Sequence, residues 1–384
     1  MNFIIRRTYF GSENLGDKHI SELLYVTYRR LWEHASKEEV LREIKKIDLN
    51  FLNRLKSFSW DKALIHKDEE EKLSIMEAIP RFMIKHLLPV MEIDFLRNNV
   101  NFMNRTDNKI ELAIRINNLK KKINTNNLTE EITGALTKYE INYRKDNNIP
   151  EIYWIPSSHK SAVVKHSLYQ KGFIIFQDKA SATVVKALSP KEEDRIYDMC
   201  AAPGIKTSLI AQYMNNKGQI IAGDFLTERI DMMKLLLKKL SVLNTDIIHT
   251  DSIAFPLRYQ NFFDKILLDA PCTGSGNLQS NPELKWRQNK KFLYQNITLQ
   301  RKLIESALKL LKCGGSLIYS TCSLYPEEGE HLILDFIDYL EPLDLPSWVS
   351  PSYKINNRII PGTGRLFPSI HHTQGFFIGK FKKK

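Results

Sequence analysis

The sequence predicts an α/β protein whose C-terminal part is a doubly wound, mostly parallel sheet. From about residue 156, short apolar runs alternate with segments of helical periodicity. The runs lie at Arg195–Asp198, Gln219–Gly223, Asp246–His249, Lys265–Asp269 and Ser316–Ser320. A turn of small residues follows the first run. The last apolar run, Gly375–Phe381, has no helix left for a crossover, so it is expected to be antiparallel at or near an edge.

Two smaller parts are predicted to precede this sheet. Residues 1–73 are predicted to form a helical domain, because apolar residues between Ser21 and Leu64 recur at helical spacing with few breakers. A basic face of these helices either contacts RNA or is simply solvated. That face carries Arg29, Arg30, Arg42, Lys45 and Lys46. The charged run Lys67–Lys72 is taken as the boundary.

Residues 74–155 are predicted to form a small α/β module. It begins with a helix interrupted at Pro80, and Ile110–Asn117 then alternates apolar and polar residues, the period of a half-buried strand. A helix is predicted over Leu128–Tyr139. Lys120–Lys122, beside the sheet edge, is either an RNA contact or a charged turn. Residues 156–384 form the third domain, where helices such as Asp231–Leu243 and Leu299–Leu311 separate the strands.

Composition narrows the classes of function. A chain of 384 residues is too long for one ordinary core, and a net charge of +12 with a pI of about 9.3 favours a polyanionic partner, although lysine also serves solubility. The N-terminus lacks a signal-peptide core and no stretch is long enough to cross a bilayer, so a cytoplasmic protein is expected. Four cysteines without a Cys-x-x-Cys pair predict reduced thiols and no metal site.

Two of those cysteines follow apolar runs directly. Cys272 comes after Lys265–Asp269, and Cys322 comes after Ser316–Ser320. Because the carboxyl ends of parallel strands meet at one edge, both thiols are expected to face the same crevice. Cys200 and Cys313 lack such a context and are expected to be packing residues, with Cys200 lining the turn after the first strand.

A nucleotide-like cofactor is expected at the same edge. Gly204 lies in the small-residue turn, and Asp224 follows about 20 residues later, the spacing of an acid that binds ribose hydroxyls. Asp251 ends the next strand and could accept a hydrogen bond from an adenine amino group. The chain has neither a full Gly-x-Gly-x-x-Gly nor a phosphate-binding loop. These features favour an adenosine cofactor without phosphates, namely S-adenosylmethionine.

Four motifs resemble the Nop/Sun family of S-adenosylmethionine-dependent RNA cytosine-5 methyltransferases. They are Asp198–Thr207, Asp269–Gly276, Tyr319–Glu328 and His371–Phe381. Gln177–Ser181 also looks like the family's lead-in, and the resemblance extends over roughly residues 75–384. The chain departs from the family pattern at Ile205, where a second glycine is usual. The branched side chain restricts the conformation of this turn and is expected to change the shape of the methionine end of the cofactor pocket.

The resemblance implies a Rossmann-like methyltransferase fold, preceded by an RRM-like module, and it assigns roles to the site residues. Cys322 is implied to be the nucleophile that adds to carbon 6 of cytosine, and Asp269 to act at ring nitrogen 3. Cys272 is implied to assist release and Lys206 to lie beside the catalytic aspartate. The expected cofactor-binding residues are Cys200, Ala201, Ala202, Pro203, Gly204, Lys206, Asp224, Arg229, Asp251 and Asp269.

The expected product is 5-methylcytosine in ribosomal RNA, and the expected protein is a monomer that binds RNA. The helical front domain resembles an antitermination-factor-like extension of some ribosomal RNA members, whereas transfer RNA is the second possible substrate. The target base must be unpaired or flipped out, and Asn281–Arg287 is expected to hold that strand, unless Trp286 is a core anchor. Three rival hypotheses remain: a DNA-type cytosine methyltransferase, a methyltransferase acting on protein or small molecules, and a catalytically idle assembly factor.

Overall fold

The computed structural model describes residues 17–31, 34–44, 47–105, 110–120 and 128–384. Four of the lysines offered as RNA contacts, Lys45, Lys46, Lys121 and Lys122, lie outside these ranges. The chain divides into two compact units, residues 1–78 and 79–384. None of the helices in the described ranges combines the length and the apolar content that crossing a membrane demands.

The first unit is helical throughout its described part. Its helices are α1 (Asp17–Leu31), α2 (Lys37–Glu43), α3 (Leu49–Lys56), α4 (Trp60–Leu64) and α5 (Glu69–Met76). Ser36 and Glu39 form a reciprocal capping box that starts α2. Leu23, Val40 and Phe51 belong to its buried core. Arg29 of the predicted basic face pairs with Glu43 at 2.8 Å, so this cation has an internal partner.

The second unit begins with two helices and a small antiparallel sheet. The strands are β1 (Glu111–Ile116), β2 (Arg144–Lys145), β3 (Ile152–Pro156) and β4 (Ile174–Phe176), in the order β2-β3-β1-β4. The helices are α6 (Arg81–Leu87), α7 (Ile93–Met103), α8 (Leu128–Lys138), α9 (Lys160–Lys165) and α10 (Ser167–Gln170). The sheet takes β4 from beyond residue 155, the predicted end of this module.

Both faces of the small sheet are covered. Ile114 and Ile116 pack with Ile132 of α8, whereas Ala113 and Trp154 pack with the core of the following large sheet. The prediction that β1 is half-buried is therefore wrong for its second half, where Arg115 is buried as well as the apolar residues, although Glu111 at its start is exposed. The alternating pattern cannot reveal this, because the second covering layer comes from residues far along the chain.

The large sheet is mixed and has nine strands among the described residues. They are β5 (Arg195–Asp198), β6 (Gln219–Asp224), β7 (Thr245–His249), β8 (Phe263–Asp269), β9 (Leu311–Thr321), β10 (Leu340–Pro342), β11 (Ser350–Pro351), β12 (Thr363–Leu366) and β13 (Phe376–Lys383). The order is β11-β12-β13-β9-β8-β5-β6-β7, and β10 also pairs with β13. Strands β5 to β9 pair in parallel, and β13 is antiparallel to β9 as predicted.

Helices cover both faces of the large sheet. They are α11 (Lys179–Leu188), α12 (Ile205–Tyr213), α13 (Thr227–Lys239), α14 (Leu284–Arg287), α15 (Lys290–Leu310), α16 (Glu330–Leu334) and α17 (Pro368–His371). Ile266 and Leu268 of β8 face a core that contains Ile304 of α15, whereas Leu267 faces the core that contains Leu209 of α12. This alternation confirms the doubly wound arrangement of a Rossmann-like fold.

Strand β13 lies near the edge of the sheet, as predicted, with the short strands β12 and β11 outside it. Two details differ from the predictions. Helix α15 starts at Lys290, well before Leu299, because the Asn289 side chain accepts a hydrogen bond from Phe292 N and caps it. Cys313 is exposed and not a packing residue.

Candidate active site

The two thiols after β8 and β9 lie together at the carboxyl edge of the sheet. Strands β8 and β9 are parallel neighbours, with Asp269 opposite Ser320, so the loops that follow them start side by side. Cys272 Sγ and Cys322 Sγ are 3.3 Å apart and both residues are half-buried. This distance is short enough for one thiol to donate a hydrogen bond to the other sulfur.

Backbone contacts hold these two loops in register. Gly276 N donates to the carbonyl oxygen of Cys322 at 3.0 Å, and Gly375 N donates to Gly276 O at 2.8 Å. A β-carbon at position 276 would lie 2.1 Å from the carbonyl oxygen of Gly375. Glycine is therefore required there, which explains the last residue of the Asp269–Gly276 motif.

Glu328 is a buried carboxylate between the two cysteine loops. It accepts hydrogen bonds from Thr273 N at 3.0 Å, from the Thr273 hydroxyl and from Gln300 Nε2 at 2.9 Å. Burial raises its pKa above the usual range, although hydrogen bonds from Ser323, Thr273 and Gln300 oppose the shift. Sequence reasoning missed this residue; its signal was a carboxylate two residues after Pro326, within the cysteine motif.

A second buried carboxylate fixes the chain after Cys322. Glu330 pairs with Arg365 at 2.6 Å, and both side chains are fully buried. Arg365 also donates to the carbonyl oxygens of Ser323 at 2.9 Å and Tyr325 at 3.2 Å. Because the guanidinium binds carboxylate and backbone together, it ties β12 to the loop that carries the thiol.

Lys206 and Asp269 form an ion pair beside the thiols. Lys206 Nζ lies 2.6 Å from Asp269 Oδ2, and Ser320 Oγ donates to Asp269 Oδ1 at 2.7 Å. Burial is the largest influence and acts to lower the pKa of Lys206, but the charge and hydrogen bond of Asp269 together with the charge of Asp198 outweigh it, and the pKa is raised. Lys206 therefore stays charged, and Cys322 is close enough to interact with that charge.

The pKa of Cys272 is raised well above its ordinary value. The hydrogen bond with Cys322 is the largest cause, and burial adds to it. Cys272 is therefore a neutral thiol near neutral pH, able to donate a hydrogen bond to the sulfur of Cys322.

A second group of predicted residues lines a cavity of about 430 Å³ beyond the ends of β5, β6 and β7. Its wall includes Cys200, Asp224, Arg229 and Asp251, and we call it the cofactor cavity because these are predicted cofactor-binding residues. Asp224 Oδ2 accepts from Ala202 N at 3.2 Å and Oδ1 accepts from Leu226 N at 3.2 Å, which fixes the carboxylate. Burial raises the pKa of the Cys200 thiol, so this cysteine stays neutral.

The chemistry of this wall fits an adenosine. Two carboxylates at adjacent strand ends match ribose hydroxyls and an adenine amino group, and apolar side chains surround them. Those apolar residues, which sequence reasoning missed, are Met199, Phe225, Leu226, Ile253, Leu299 and Leu303. A signal was present for two of them, because Phe225 and Leu226 are 64% and 47% exposed directly after the acid.

The other predicted cofactor residues lie in the turn before α12 or beside the thiols. Ala201, Ala202, Pro203 and Gly204 form the turn, where Gly204 has a φ of +98° and Arg229 donates to the carbonyl oxygen of Ala202. The described wall of the cofactor cavity includes none of these four residues, nor Lys206 or Asp269. Ile205 lies in the wall of a different cavity, away from the cofactor cavity.

Trp286 is 78% exposed, so the hypothesis that it anchors a core is wrong. It lies on α14, between Lys285 and Arg287, in the segment after the Cys272 loop. Within the described ranges, no group of three or more histidine, cysteine or acidic side chains could hold a metal ion.

Comparison with known proteins identifies the family to which this chain belongs. The family described as 16S rRNA methyltransferase RsmB/F matches residues 185–382. A probable ribosomal RNA small subunit methyltransferase B from Synechocystis is 36% identical over 221 residues, which cover 56% of this chain and 49% of that protein. The chain thus spans about half the length of this relative.

Two further comparisons cover more of the relative. The tRNA (cytosine(49)-C(5))-methyltransferase of Pyrococcus abyssi is 37% identical over 230 residues, 56% of this chain and 72% of that protein. A methyltransferase homolog protein of Pyrococcus horikoshii has a crystal structure that matches with a TM-score of 0.70 and 28% identity, over 83% of this chain and all of that one. The chain therefore belongs to the RsmB/F methyltransferase family, which confirms the Nop/Sun resemblance seen in its motifs.

Proposed function

We propose that the protein is an S-adenosylmethionine-dependent methyltransferase that forms 5-methylcytosine in ribosomal RNA. The observation that carries this proposal is the pair of sulfurs 3.3 Å apart, next to the Lys206–Asp269 ion pair and on the same sheet edge as the cofactor cavity. Carbon 5 of cytosine is a weak nucleophile, so it takes a methyl group only after a sulfur has added to carbon 6. A paired-thiol site supplies one sulfur to add and one to assist release.

The first step is addition of Cys322 Sγ to carbon 6. Lys206 carries its positive charge beside Cys322, and the neutral Cys272 thiol can donate a hydrogen bond to Cys322 Sγ. Asp269 stabilises or supplies the proton at ring nitrogen 3, which makes carbon 6 electrophilic. Ser320 and Lys206 hold that carboxylate in place.

Release follows methyl transfer. The proton on carbon 5 must leave before the bond between Cys322 Sγ and carbon 6 can break. Once Cys322 is bonded to the base, the hydrogen bond and charge that raise the pKa of Cys272 are lost. Cys272 can then lose its own proton to water, and its thiolate accepts the proton from carbon 5; alternatively the thiol orients a water that accepts this proton. The electrons of the broken C–H bond re-form the ring double bond between carbons 5 and 6, and Cys322 leaves as the thiolate.

The methyl donor fits the cavity lined by Asp224 and Asp251. S-adenosylmethionine supplies an activated methyl group on a sulfonium sulfur. Asp224 and Asp251 would hold its ribose and adenine, and Phe225 and Leu226 would exclude water from the adenine. Their positions at the ends of β6 and β7 support this assignment.

Ribosomal RNA is proposed as the substrate because the matching family acts on 16S rRNA by its description and the Synechocystis relative acts on small subunit RNA by its name. Transfer RNA is the second candidate, supported by the Pyrococcus abyssi relative, which is named for a transfer RNA cytosine. We further propose a helical RNA-binding domain over residues 1–73, and an RRM-like RNA-binding module that begins at residue 74 and extends beyond residue 155 to include β4. We also propose that the protein is a cytoplasmic monomer that needs no metal.

The test uses total RNA from a strain that lacks the gene. The purified protein and S-adenosylmethionine are added, and bisulfite sequencing reports every cytosine that becomes protected. We expect one or a few new positions in ribosomal RNA. Protection confined to transfer RNA would favour the second candidate, and cofactor binding without any protected cytosine would favour an idle assembly factor.

A further inference from the structure

A second cavity of about 440 Å³ lies between the small sheet and the carboxyl edge of the large sheet. Residues from both sheets line it, including Arg105, Trp154, Lys160, Gln177, Lys206 and Phe376. Its volume is in the usual range for a ligand site. The cofactor cavity has none of these residues in its described wall, so the two are separate.

This second cavity adjoins the reacting groups through one side chain. Lys206 lies in its wall and also contacts Asp269 at 2.6 Å. Among the residues that the structure describes, those lining this cavity do not include Cys272, Cys322 or Asp269. Lys206 therefore borders both the cavity and the reacting groups, as a site for a neighbouring nucleotide of the same strand requires.

The cavity has the groups that bind a single-stranded nucleotide. Phe376 and Trp154 contribute small areas of aromatic surface to the wall, since each residue is only 3% exposed. The cations Arg105 and Lys160 are exposed in the same wall, where a phosphate could approach. Trp154 is fixed, because its Nε1 donates to Asp146 at 2.8 Å and Lys179 holds that carboxylate at 2.9 Å. The wall is thus formed in advance of binding.

Gln177 is the side chain in this wall whose hydrogen bonding is incomplete. It is only 2% exposed, its Oε1 has no hydrogen-bond partner, and its Nε2 makes one long contact of 3.4 Å with Ser181 Oγ. A buried amide without partners is unfavourable. The terminal torsion of glutamine is soft, so this amide can turn towards a base in the cavity and donate and accept at once.

The neighbouring carboxylate keeps Gln177 at this position. Asp178 accepts hydrogen bonds from Ala180 N at 2.8 Å, from the Thr373 hydroxyl and from Gln374 N at 3.4 Å. It thereby joins the start of α11 to the loop before β13. Gln177 is consequently held against a wall that includes Thr373, Gln374 and Phe376.

We propose that this cavity binds a nucleotide adjacent to the target cytidine and that Gln177 reads the hydrogen-bonding edge of its base. The inference rests on the proposed function, since it requires an RNA strand at the thiols. It assigns part of the sequence specificity to a residue outside the reacting centre. Gln177 is then a specificity-determining residue and takes no part in the covalent step.

The experiment measures specificity and turnover separately. A short transcript containing the cytosine protected by the wild-type protein is made in versions with each base at the two positions on either side. Methyl transfer from S-adenosylmethionine gives kcat/KM for each transcript. We expect the wild-type protein to favour one base at one of these positions by roughly tenfold or more, and Gln177→Ala to lose that preference.

Two variants distinguish recognition from structural damage. Gln177→Glu keeps the shape and one acceptor but removes the donor, so it should change the ranking of the bases. Lys160→Ala should raise KM about equally for all transcripts, because a phosphate contact carries no base information. Thermal unfolding of each variant shows that it is folded.

The outcomes separate the two proposals. If the wild-type protein transfers no methyl group to any RNA, the proposed function fails. If it methylates the target but is indifferent to the neighbouring bases, or if both Gln177 variants keep the wild-type preference, the proposed function stands and the role of the cavity is refuted.

Discussion

At the scale of single residues, Asp198 has an unusual titration. It ends β5, its Oδ2 accepts from the Thr207 hydroxyl at 2.8 Å, and its Oδ1 has no hydrogen-bond partner. Burial raises its pKa to about 7, although Thr207 and Lys206 act in the opposite direction. The folded protein therefore holds a proton here that the unfolded chain releases near pH 4.

This difference predicts a pH-dependent stability. Between about pH 4 and pH 7 the folded state binds the extra proton, so the free energy of unfolding falls as pH rises through that window and is level above it. Asp198→Asn removes the titration. The free energy of unfolding of the variant minus that of the wild type should be larger at pH 8 than at pH 5, by up to about 3 kcal/mol, because only the wild type loses stability over this range. Urea unfolding of both proteins at both pH values measures this difference in stability. The same difference at pH 5 and pH 8 would contradict the predicted titration of Asp198.

At the scale of elements, the loop after β9 determines the distance between the sulfurs. Glu328 binds Thr273, next to Cys272, and Gln300 of α15, which also donates to Pro271 O at 2.8 Å. We therefore treat Glu328 as a positioning residue. Its neighbour Glu327 contacts His86 Nδ1 at 2.6 Å instead, so the chain itself offers a matched control.

Removing the Glu328 carboxylate should impair release more than addition. Glu328→Ala removes the acceptor of Thr273 N and one of the two acceptors of Gln300 Nε2, so the Cys272 loop can shift. Such a displacement costs on the order of a hundredfold in turnover. Denaturing gels should show a covalent complex with target RNA accumulating, as expected when Cys272 is misplaced. Glu328→Gln should recover part of the turnover, and Glu327→Gln should behave as the wild type. Loss of turnover without accumulation would indicate a purely structural role.

At the scale of the whole molecule, local patterns predicted the large sheet and the position of its chemistry. The strands could be predicted because buried parallel strands are continuous apolar runs in the sequence. The proximity of Cys272 and Cys322 could be predicted because adjacent parallel strands end at the same edge of the sheet. Contacts between distant segments left no such pattern. The coverage of β1 by the large sheet, the short strands β11 and β12, and the return of Glu328 to the Cys272 loop all depend on those contacts.

The apolar part of the cofactor cavity was missed for the same reason. Leu299 and Leu303 look like ordinary core residues of an amphipathic helix, and only the fold brings them to Asp224 and Asp251. The acids were predictable because a carboxylate at a strand end needs a partner. Polar residues at the ends of apolar strands therefore revealed the position of the site from the sequence. The apolar residues of its wall could be identified only from the packing in the structure.

The central claim is that Cys322 makes the bond to the base and that Cys272 assists its release. The most direct measurement traps the protein on target RNA carrying 5-fluorocytidine in the presence of S-adenosylmethionine, then identifies the linked peptide by mass spectrometry. We predict that the base is attached to Cys322, that Cys272→Ala still forms the complex, and that Cys322→Ala does not. Attachment to Cys272, with trapping lost in Cys272→Ala and kept in Cys322→Ala, would contradict the assignment.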